Sequence, residues 1–319
     1  MKQNVGGVMN VDGPLDEFKY TGWHIELTNR CPLACPACIR TMHGPGSKSD
    51  IDSDLLLNFL PNPEKYDYIF FQGNLGDPIY HPDFHKISEH FFSANELQVT
   101  TNGMQTKEFW QRVLETWPES SIVELSIDGL QDTNSIYRVN SNWNKIQELF
   151  ELIATTKRKC QIRWKYIVFE HNHHQVEEAI ALSKKIGMNE FKIKKSWTIH
   201  DDMSNNGQIK DYYNPEWFDY VKRETLDELA PFCYTGDMHY INSQGNYYPC
   251  CWIDNDISSL GHISEGLDSI KDKFLNFSNL LTWGKCPEVC REMCCKISNN
   301  DKEMITPNSV VDRKIIVND

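Results

Sequence analysis

The chain has 319 residues, 40% of them hydrophobic, and a formal net charge of -13 from 45 acidic and 32 basic residues. This length suits one large α/β domain with a smaller one, and the acidic balance disfavours an extended nucleic-acid surface. No apolar run approaches the roughly 18 residues that span a membrane, and the first residues lack the features of a signal peptide. We therefore expect a cytoplasmic protein with neither a membrane nor a nucleic acid as its partner.

Six short runs rich in β-branched and aromatic residues are predicted to be strands. They are HIELT (24–28), YIFFQG (68–73), ELQVTT (96–101), IVELSID (122–128), IRWKYIVF (162–169) and FKIKKS (191–196). Helical periodicity marks the segments between them, including DSDLLLNFL, NKIQELFELIATTK and HQVEEAIALSKKIG, the last with Gly187 as its stop. This alternation predicts an α/β fold with a parallel sheet. Six units are too few for a closed eight-stranded barrel, so a partial (β/α)6 TIM-like barrel or an open doubly wound sheet fits.

The pattern divides the chain into five predicted segments. They are an N-terminal extension (1–19), the partial barrel (20–212), a connecting helix (213–231), a small cysteine-rich α+β domain (232–300) and a tail (301–319) without a strong period. The cysteine-rich segment holds seven of the chain's 11 cysteines. A segment of this size buries too little surface to fold unaided, so we expect a metal to stabilise it.

Three further cysteines follow directly on the first strand with the spacing C-x3-C-x2-C: Cys31, Cys35 and Cys38. Disulfides are not expected in a reducing compartment, and clustered cysteines indicate metal. Three thiolates on a [4Fe–4S] cluster leave one iron without a protein ligand, so that iron can bind a small molecule. The alternative is a zinc site, which needs a fourth ligand such as His24 or His43.

The stretch CPLACPAC after a first strand resembles the radical S-adenosylmethionine (SAM) superfamily. The resemblance implies that Cys31, Cys35 and Cys38 ligate a catalytic [4Fe–4S] cluster whose open iron binds the amino and carboxylate groups of SAM. In that family the reduced cluster cleaves SAM to a 5′-deoxyadenosyl radical, which abstracts a hydrogen atom from the substrate. One departure is Ala37, which stands where the family usually has an aromatic residue.

Further residues at the ends of the second, third and fourth strands match the family's SAM-binding positions. The turn Gly76-Asp77-Pro78 in QGNLGDP resembles the family's Gly-Gly-Glu-Pro turn, whose backbone accepts the SAM amino group. The resemblance also implies cofactor contacts from Asn102 in TTNG, from Ser126 and Asp128 to ribose hydroxyls, and from Arg138 to the SAM carboxylate. Taken singly, these motifs can equally be an ordinary turn or a surface charge.

The fifth strand offers candidates for substrate contact, since a polar residue among aromatics at a strand end can face a cavity. Lys165, Tyr166 and Glu170 are the candidates, and the sequence does not say which of them points inward. Cys160, just before this strand, is interpreted as a buried inert cysteine. The alternative is a hydrogen-atom donor to a substrate radical.

The cysteine-rich segment resembles the twitch domain, the short form of the SPASM extension in radical SAM enzymes, which holds one auxiliary [4Fe–4S] cluster. The run HYINSQGNYYP predicts a hairpin that brings Cys233 and Cys250 together, and Cys290 and Cys294 share one face of a helix. These four thiols are the predicted ligands, with Cys286 as a rival to either helical one. Cys251 and Cys295 are left as spare, and a structural zinc site is the alternative.

The sequence therefore predicts an enzyme that cleaves SAM reductively and oxidises, epimerises or joins bonds in its substrate. The expected partners are a small-molecule or short-peptide substrate and a reductant such as flavodoxin or ferredoxin. A peptide-leader-binding domain is not expected before the first strand, because that stretch is short. The alternatives are an RNA-modifying radical SAM enzyme and a non-catalytic zinc protein that binds a partner.

Overall fold

The structure is a computed structural model, and it describes residues 22–44, 46–195, 209–210, 212, 218–220, 239–251, 259–280 and 310–317. Its centre is a set of six parallel strands that lie side by side in chain order. They are β1 (Gly22–Ile25), β2 (Tyr68–Phe71), β3 (Leu97–Thr101), β4 (Ser121–Ser126), β5 (Gln161–Val168) and β6 (Glu190–Lys195). The six predicted strands and their parallel arrangement are confirmed, although β1 begins and ends earlier than expected.

Helices connect these strands as the periodicity predicts. They are α1 (Ile39–His43), α2 (Ser53–Phe59), α3 (Phe84–His90), α4 (Lys107–Thr116), α5 (Asn134–Tyr137), α6 (Trp143–Thr155) and α7 (Val176–Lys185). Gly187 follows α7 with a φ of +79°, a left-handed conformation that glycine adopts readily, so its predicted role as a helix stop is confirmed. A further helix, α8 (Leu267–Leu280), lies in the C-terminal part of the chain.

Five more strands extend both edges of the sheet. They are β7 (Phe218–Tyr220), β8 (His239–Ile241), β9 (Asn246–Tyr248), β10 (Gly261–His262) and β11 (Val310–Ile316). The predicted hairpin is present as β8 and β9, with Gly245 at a φ of +79° in its turn. Because β8 pairs in parallel with β1, the hairpin of the cysteine-rich segment continues the barrel sheet.

The other edge departs from the sequence prediction. A helix was expected over 213–231, but Phe218–Tyr220 form β7 and pair with β11, so the prediction is wrong for these three residues. The aromatic side chains of this stretch favour a strand once an edge is available to pair with. That edge is β11, which itself pairs antiparallel with β6. The β-branched run VVDRKIIV in the tail is typical of a strand and is the sequence feature that indicates β11. The other residues of the predicted connecting helix, 213–217 and 221–231, lie outside the described residues.

The two faces of the sheet differ in chemistry. On one face, aromatic and aliphatic side chains pack against the helices, as where the rings of Phe150 and Trp164 lie 5.1 Å apart and those of Trp23 and Phe59 5.5 Å apart. The opposite face, which we call the polar face, carries buried polar side chains: His24, Glu26, Gln98, Thr100, Glu124, Ser126, Arg163 and Lys165. These polar side chains are buried although they point away from the helix-packed face, which indicates that the sheet curves around them.

Candidate active site

The three clustered cysteines lie on the loop that leaves the C-terminal end of β1. In parallel α/β sheets this edge is where ligands bind. Cys38 is the N-cap of α1, and its backbone amide donates to the carbonyl of Cys35 at 3.1 Å. The amide of Ala34 donates to the carbonyl of Val139 at 3.0 Å, which fixes the loop to the segment after β4. All three cysteines are free thiols, as a metal-binding loop requires.

Two donors from different strand ends converge on these sulfurs. Asn102, just after β3, donates from Nδ2 to Cys31 Sγ at 3.5 Å. Arg138, after α5, donates from Nη1 to Cys35 Sγ at 3.9 Å. Hydrogen bonds to ligating sulfurs stabilise the thiolate form and tune iron–sulfur clusters. The structure therefore brings Asn102 and Arg138 next to the cysteine loop, and their predicted contacts with SAM stay predictions.

The electrostatics of the loop bear on whether the thiols fit a cluster. Burial, with a further contribution from Asp77, raises the pKa of Cys31 to about 12, and burial also raises the pKa of Cys35. A thiolate here needs a strong neighbouring positive charge, such as the iron of a cluster would supply. Among the described residues, no three His, Cys, Asp or Glu side chains converge as ligands of a single metal ion do. A four-iron cluster binds each thiolate at a different iron, so its ligands need not converge so closely.

The predicted SAM turn packs directly on the cysteine loop. A Cβ added to Gly76 would lie 1.9 Å from the carbonyl oxygen of Thr28, so only glycine allows this approach. Oε1 of Glu26 accepts from the amides of Leu75 at 2.6 Å and Gly76 at 3.2 Å. The amide of Asp77 donates to the carbonyl of Arg30 at 2.9 Å. The turn is thus held from both sides in contact with the cysteine loop.

The carboxylate of Asp77 has structural partners. Its Oδ2 accepts from the Asn102 amide at 2.7 Å and from the Thr101 hydroxyl at 3.1 Å. Burial raises the pKa of Asp77 to about 6, although these hydrogen bonds oppose the shift. Asp77 therefore joins the turn after β2 to the end of β3. Its side chain is occupied by these contacts, so a contact with a cofactor would come from its backbone atoms.

Asp128 and Arg138 form an ion pair with each other. Arg138 Nε donates to Asp128 Oδ2 at 2.6 Å, and the amide of Ile167 donates to Asp128 Oδ1 at 2.7 Å. Burial disfavours the charged guanidinium, but attraction by Asp128 and Cys35 outweighs it and the pKa of Arg138 is raised. Ser126 is buried at the end of β4, on the polar face. Residues at the C-terminal ends of β1, β2, β3 and β4 therefore lie at one site. The roles of these residues toward SAM stay predictions.

The structure separates the three candidates on the fifth strand. Lys165 pairs in register with Ser126 on the polar face, and its ammonium lies 2.7 Å from Glu124 Oε1. Tyr166 points to the helix side, where its hydroxyl donates to the carbonyl of Asn172 at 2.8 Å. Glu170 is exposed and lies 3.5 Å from Lys210. Lys165 is therefore the one of the three that faces the interior of the barrel.

Cys160 lies at the opposite end of the sheet. It precedes β5, whose eight residues extend for roughly 25 Å at about 3.3 Å per residue, while the cysteine loop follows β1 at the other edge. Its side chain is buried, and burial raises the pKa of Cys160 to about 11. This placement agrees with an inert core cysteine and is wrong for a hydrogen-atom donor at the site.

Two links that the sequence did not predict connect the hairpin to the SAM turn. Tyr240 on β8 donates from its hydroxyl to Glu26 Oε2 at 3.1 Å. Asn74, within the turn, donates from Nδ2 to the carbonyl of Cys251 at 3.0 Å. One sequence feature could have indicated a role for Glu26, because it is a single acidic residue inside the apolar run HIELT. No comparable feature marks Asn74. Of the predicted auxiliary ligands, Cys250 is half-buried after β9; Cys233, Cys290, Cys294 and their rival Cys286 lie outside the described residues.

Solved structures share this architecture. Streptococcus suis SuiB bound to S-adenosylmethionine superposes with a TM-score of 0.59 at 13% identity, over 80% of this chain and 65% of SuiB. A structure of anSMEcpe with bound AdoMet and the Cp18Cys peptide gives 0.55 at 15% identity, over 86% of this chain and 88% of that one. The chain has the fold of these SAM-bound proteins.

The chain thus spans slightly less than two thirds of the length of SuiB. SuiB has also been solved bound to its precursor peptide SuiA, with a TM-score of 0.59 and 13% identity over 80% of this chain and 64% of SuiB. No protein-family model and no curated protein matches the chain. None of the helices in the described ranges is both long enough and apolar enough to cross a membrane.

Proposed function

We propose that this chain is a radical SAM enzyme in which Cys31, Cys35 and Cys38 hold a [4Fe–4S] cluster that leaves one iron open for SAM. The observation that carries the proposal is the convergence of Asn102 and Arg138, from two other strand ends, on the sulfurs of this loop. The fold shared with SAM-bound SuiB and anSMEcpe supports it. A cluster and SAM bound there supply a 5′-deoxyadenosyl radical that removes a hydrogen atom from the substrate.

The chain's own residues would position SAM and exclude water. Glu26 holds the amides of Leu75 and Gly76 and so fixes the backbone of the turn that would bind the SAM ammonium group. Arg138 would present a cation next to Cys35, suited to a carboxylate. Burial of the polar face below would shield a radical from solvent.

The proposed substrate is a small molecule or a short peptide, and the reductant is a flavodoxin or ferredoxin. The peptides in the SuiB and anSMEcpe structures support a peptide substrate for a protein of this fold. We also propose an auxiliary [4Fe–4S] cluster in a twitch-type segment, ligated by Cys233, Cys250, Cys290 and Cys294, with Cys286 able to replace either of the last two. The hairpin at β8 and β9 supports it, because the residue after Cys250, Cys251, accepts a hydrogen bond from Asn74 of the QGNLGDP turn.

The test compares the triple variant Cys31→Ala/Cys35→Ala/Cys38→Ala with Cys160→Ala after anaerobic reconstitution. We expect the triple variant to lose about four irons and all reductive cleavage of SAM to 5′-deoxyadenosine. Cys160→Ala removes a buried thiol at the far end of the sheet and should retain both. SAM cleavage by the triple variant, or a wild-type protein that binds zinc and no iron, would refute the proposal.

A further inference from the structure

Lys165 lies directly below the proposed SAM site, in the interior of the barrel. Its register partner is Ser126, the last residue of β4. Asp128 lies two residues after Ser126 and forms an ion pair with Arg138. Arg138 in turn contacts the cysteine loop through Cys35. A substrate held in the barrel interior below this loop would therefore lie near β4 and β5, where Lys165 stands.

Positive charge concentrates around Lys165. Its partner Glu124 is shared, because Arg163 Nη1 lies 3.2 Å from Glu124 Oε2 and the charge of Lys192 also acts on this carboxylate. Burial and repulsion from Lys194 and Arg138, which outweigh the attraction of Glu124, lower the pKa of Lys165 to about 8. Arg163 also pairs with Glu190 on β6, so Arg163 has two carboxylate partners, whereas the ammonium of Lys165 lies against Glu124. The arrangement contrasts with the chain's net charge of -13.

The opposite part of the same face is aromatic. The ring of His24 on β1 lies 5.1 Å from that of Phe70 on β2 and 4.9 Å from that of Tyr240 on β8. These rings stand on the polar face with Glu26, several strands away from β5. The interior therefore offers an aromatic wall on one side and cationic side chains on the other.

We propose that Lys165 binds an acidic group, a carboxylate or a phosphate, on the substrate of this site. The inference rests on the proposed function for the identity of the bound molecule as substrate. Among the described residues, Glu124 is the carboxylate that contacts the Lys165 ammonium, and Arg163 also contacts it. The ammonium can therefore bind a second anion while it keeps its contact with Glu124. The aromatic wall would take an apolar part of the same molecule. This selects acidic, partly apolar molecules over neutral or basic ones.

The experiment measures binding of three matched probes by calorimetry to the full-length, cluster-reconstituted protein saturated with SAM. The probes are 3-phenylpropionate, phenyl phosphate and the neutral 3-phenylpropanamide. We expect at least one acidic probe to bind about ten-fold or more tightly than the amide, and the tighter of the two acids identifies the group. Lys165→Met should abolish this preference, and Lys165→Arg should retain it.

The control is Lys185→Met, which removes the same charge from an exposed position in the last turn of α7. It should leave the preference for acids unchanged. Equal binding of the amide and both acids by the wild type, or the same loss of preference in Lys165→Met and Lys185→Met, would overturn the inference. Wild-type protein that cleaves SAM without any preference for acids refutes this inference alone. Preference for acids without SAM cleavage refutes the proposed function and leaves the anion site standing.

Discussion

Arg138 donates from Nε to Asp128 Oδ2 at 2.6 Å, and the Asp128 side chain is fully buried. The sequence predicted both residues as separate contacts to SAM, one to its carboxylate and one to its ribose. In the structure the two residues form an ion pair with each other, and the Arg138 guanidinium also contacts Cys35, so the pair joins the end of β4 to the cysteine loop. Any contact that either makes to SAM would be made by a side chain already oriented by the other.

Removal of Asp128 should therefore destabilise the fold. Asp128→Ala leaves the buried Arg138 guanidinium without its carboxylate, and breaking a buried ion pair in this way costs about 3–5 kcal/mol. We expect a loss of this size in the free energy of unfolding, measured by urea denaturation. Asp54→Ala is the matched control, because it breaks the exposed pair with Lys86 at 2.6 Å. If both variants lose the same small amount, the Asp128 pair is not structural.

A second prediction concerns the contact between the SAM turn and the cysteine loop. Gly76→Ala places a Cβ within 1.9 Å of the Thr28 carbonyl and 2.7 Å of Asn29 Cα, both backbone atoms that cannot rotate away. We expect the turn to shift, with a loss of about 1–3 kcal/mol in stability and a clear loss of SAM affinity measured by calorimetry.

The control for this variant is Gly187→Ala. Gly187 has a φ of +79° with open space around it, so alanine there strains the backbone by roughly 1 kcal/mol without touching the site. It should bind SAM as the wild type does. Unchanged SAM affinity in Gly76→Ala would show that the turn does not contact SAM.

The sequence predicted the barrel strands and helices because each carries its own local signal. The apolar runs alternate with amphipathic segments, and Gly187 marks a stop that needs no tertiary contact. The order of residues along the chain also placed Cys31, Asn102 and Arg138 at one edge, because the C-terminal ends of parallel strands meet there.

What the sequence did not predict depends on partners distant in the chain. Glu26 binds the turn at Gly76 and the hydroxyl of Tyr240, which lies 214 residues away. The strand at Phe218–Tyr220 forms against β11, so its local helical pattern was overridden by an available edge. Likewise, Asp128 and Arg138 had a pattern compatible with cofactor contacts, and only the fold shows that they bind each other.

A third prediction concerns the dependence of stability on pH. Burial lowers the pKa of His24 from 6.5 to about 4, although its hydrogen bond with the Gln72 carbonyl at 2.6 Å opposes the shift. Between pH 4 and pH 6.5 the unfolded chain therefore binds a proton that the folded chain does not, and stability falls as the pH falls. From pH 7 to pH 5 this contributes a loss of about 2 kcal/mol.

His24→Phe should remove this contribution, since phenylalanine fits between the rings of Phe70 and Tyr240 and does not titrate. We expect the loss of unfolding free energy between pH 7 and pH 5, measured in urea, to be smaller in this variant by about 2 kcal/mol. The exposed His174, changed to Gln, should follow the wild type. Parallel losses in wild type and His24→Phe would show that His24 is not the group responsible.

The final prediction separates the proposed auxiliary cluster from the hairpin that would carry one of its ligands. Cys250 and Cys251 are adjacent, and both are half-buried after β9. Cys250 is the proposed ligand, whereas Cys251 is proposed as spare and contributes its backbone carbonyl to Asn74. Cys250→Ala should therefore lower the iron content of the reconstituted protein from about eight to about four atoms per chain. It should also lower the midpoint of thermal unfolding, because metal ligation contributes folding energy to a small segment.

Cys251→Ala keeps the backbone carbonyl that Asn74 binds, so it should retain both iron and thermal stability. Cys233→Ala should behave as Cys250→Ala does, since the two thiols are proposed to bind one cluster. Iron would be counted by elemental analysis and the cluster type read from the spectrum of the reduced protein, which also distinguishes iron from zinc. If Cys250→Ala and Cys251→Ala both retain full iron, the hairpin carries no cluster ligand. A loss of iron in Cys251→Ala alone would exchange the roles of the two neighbours.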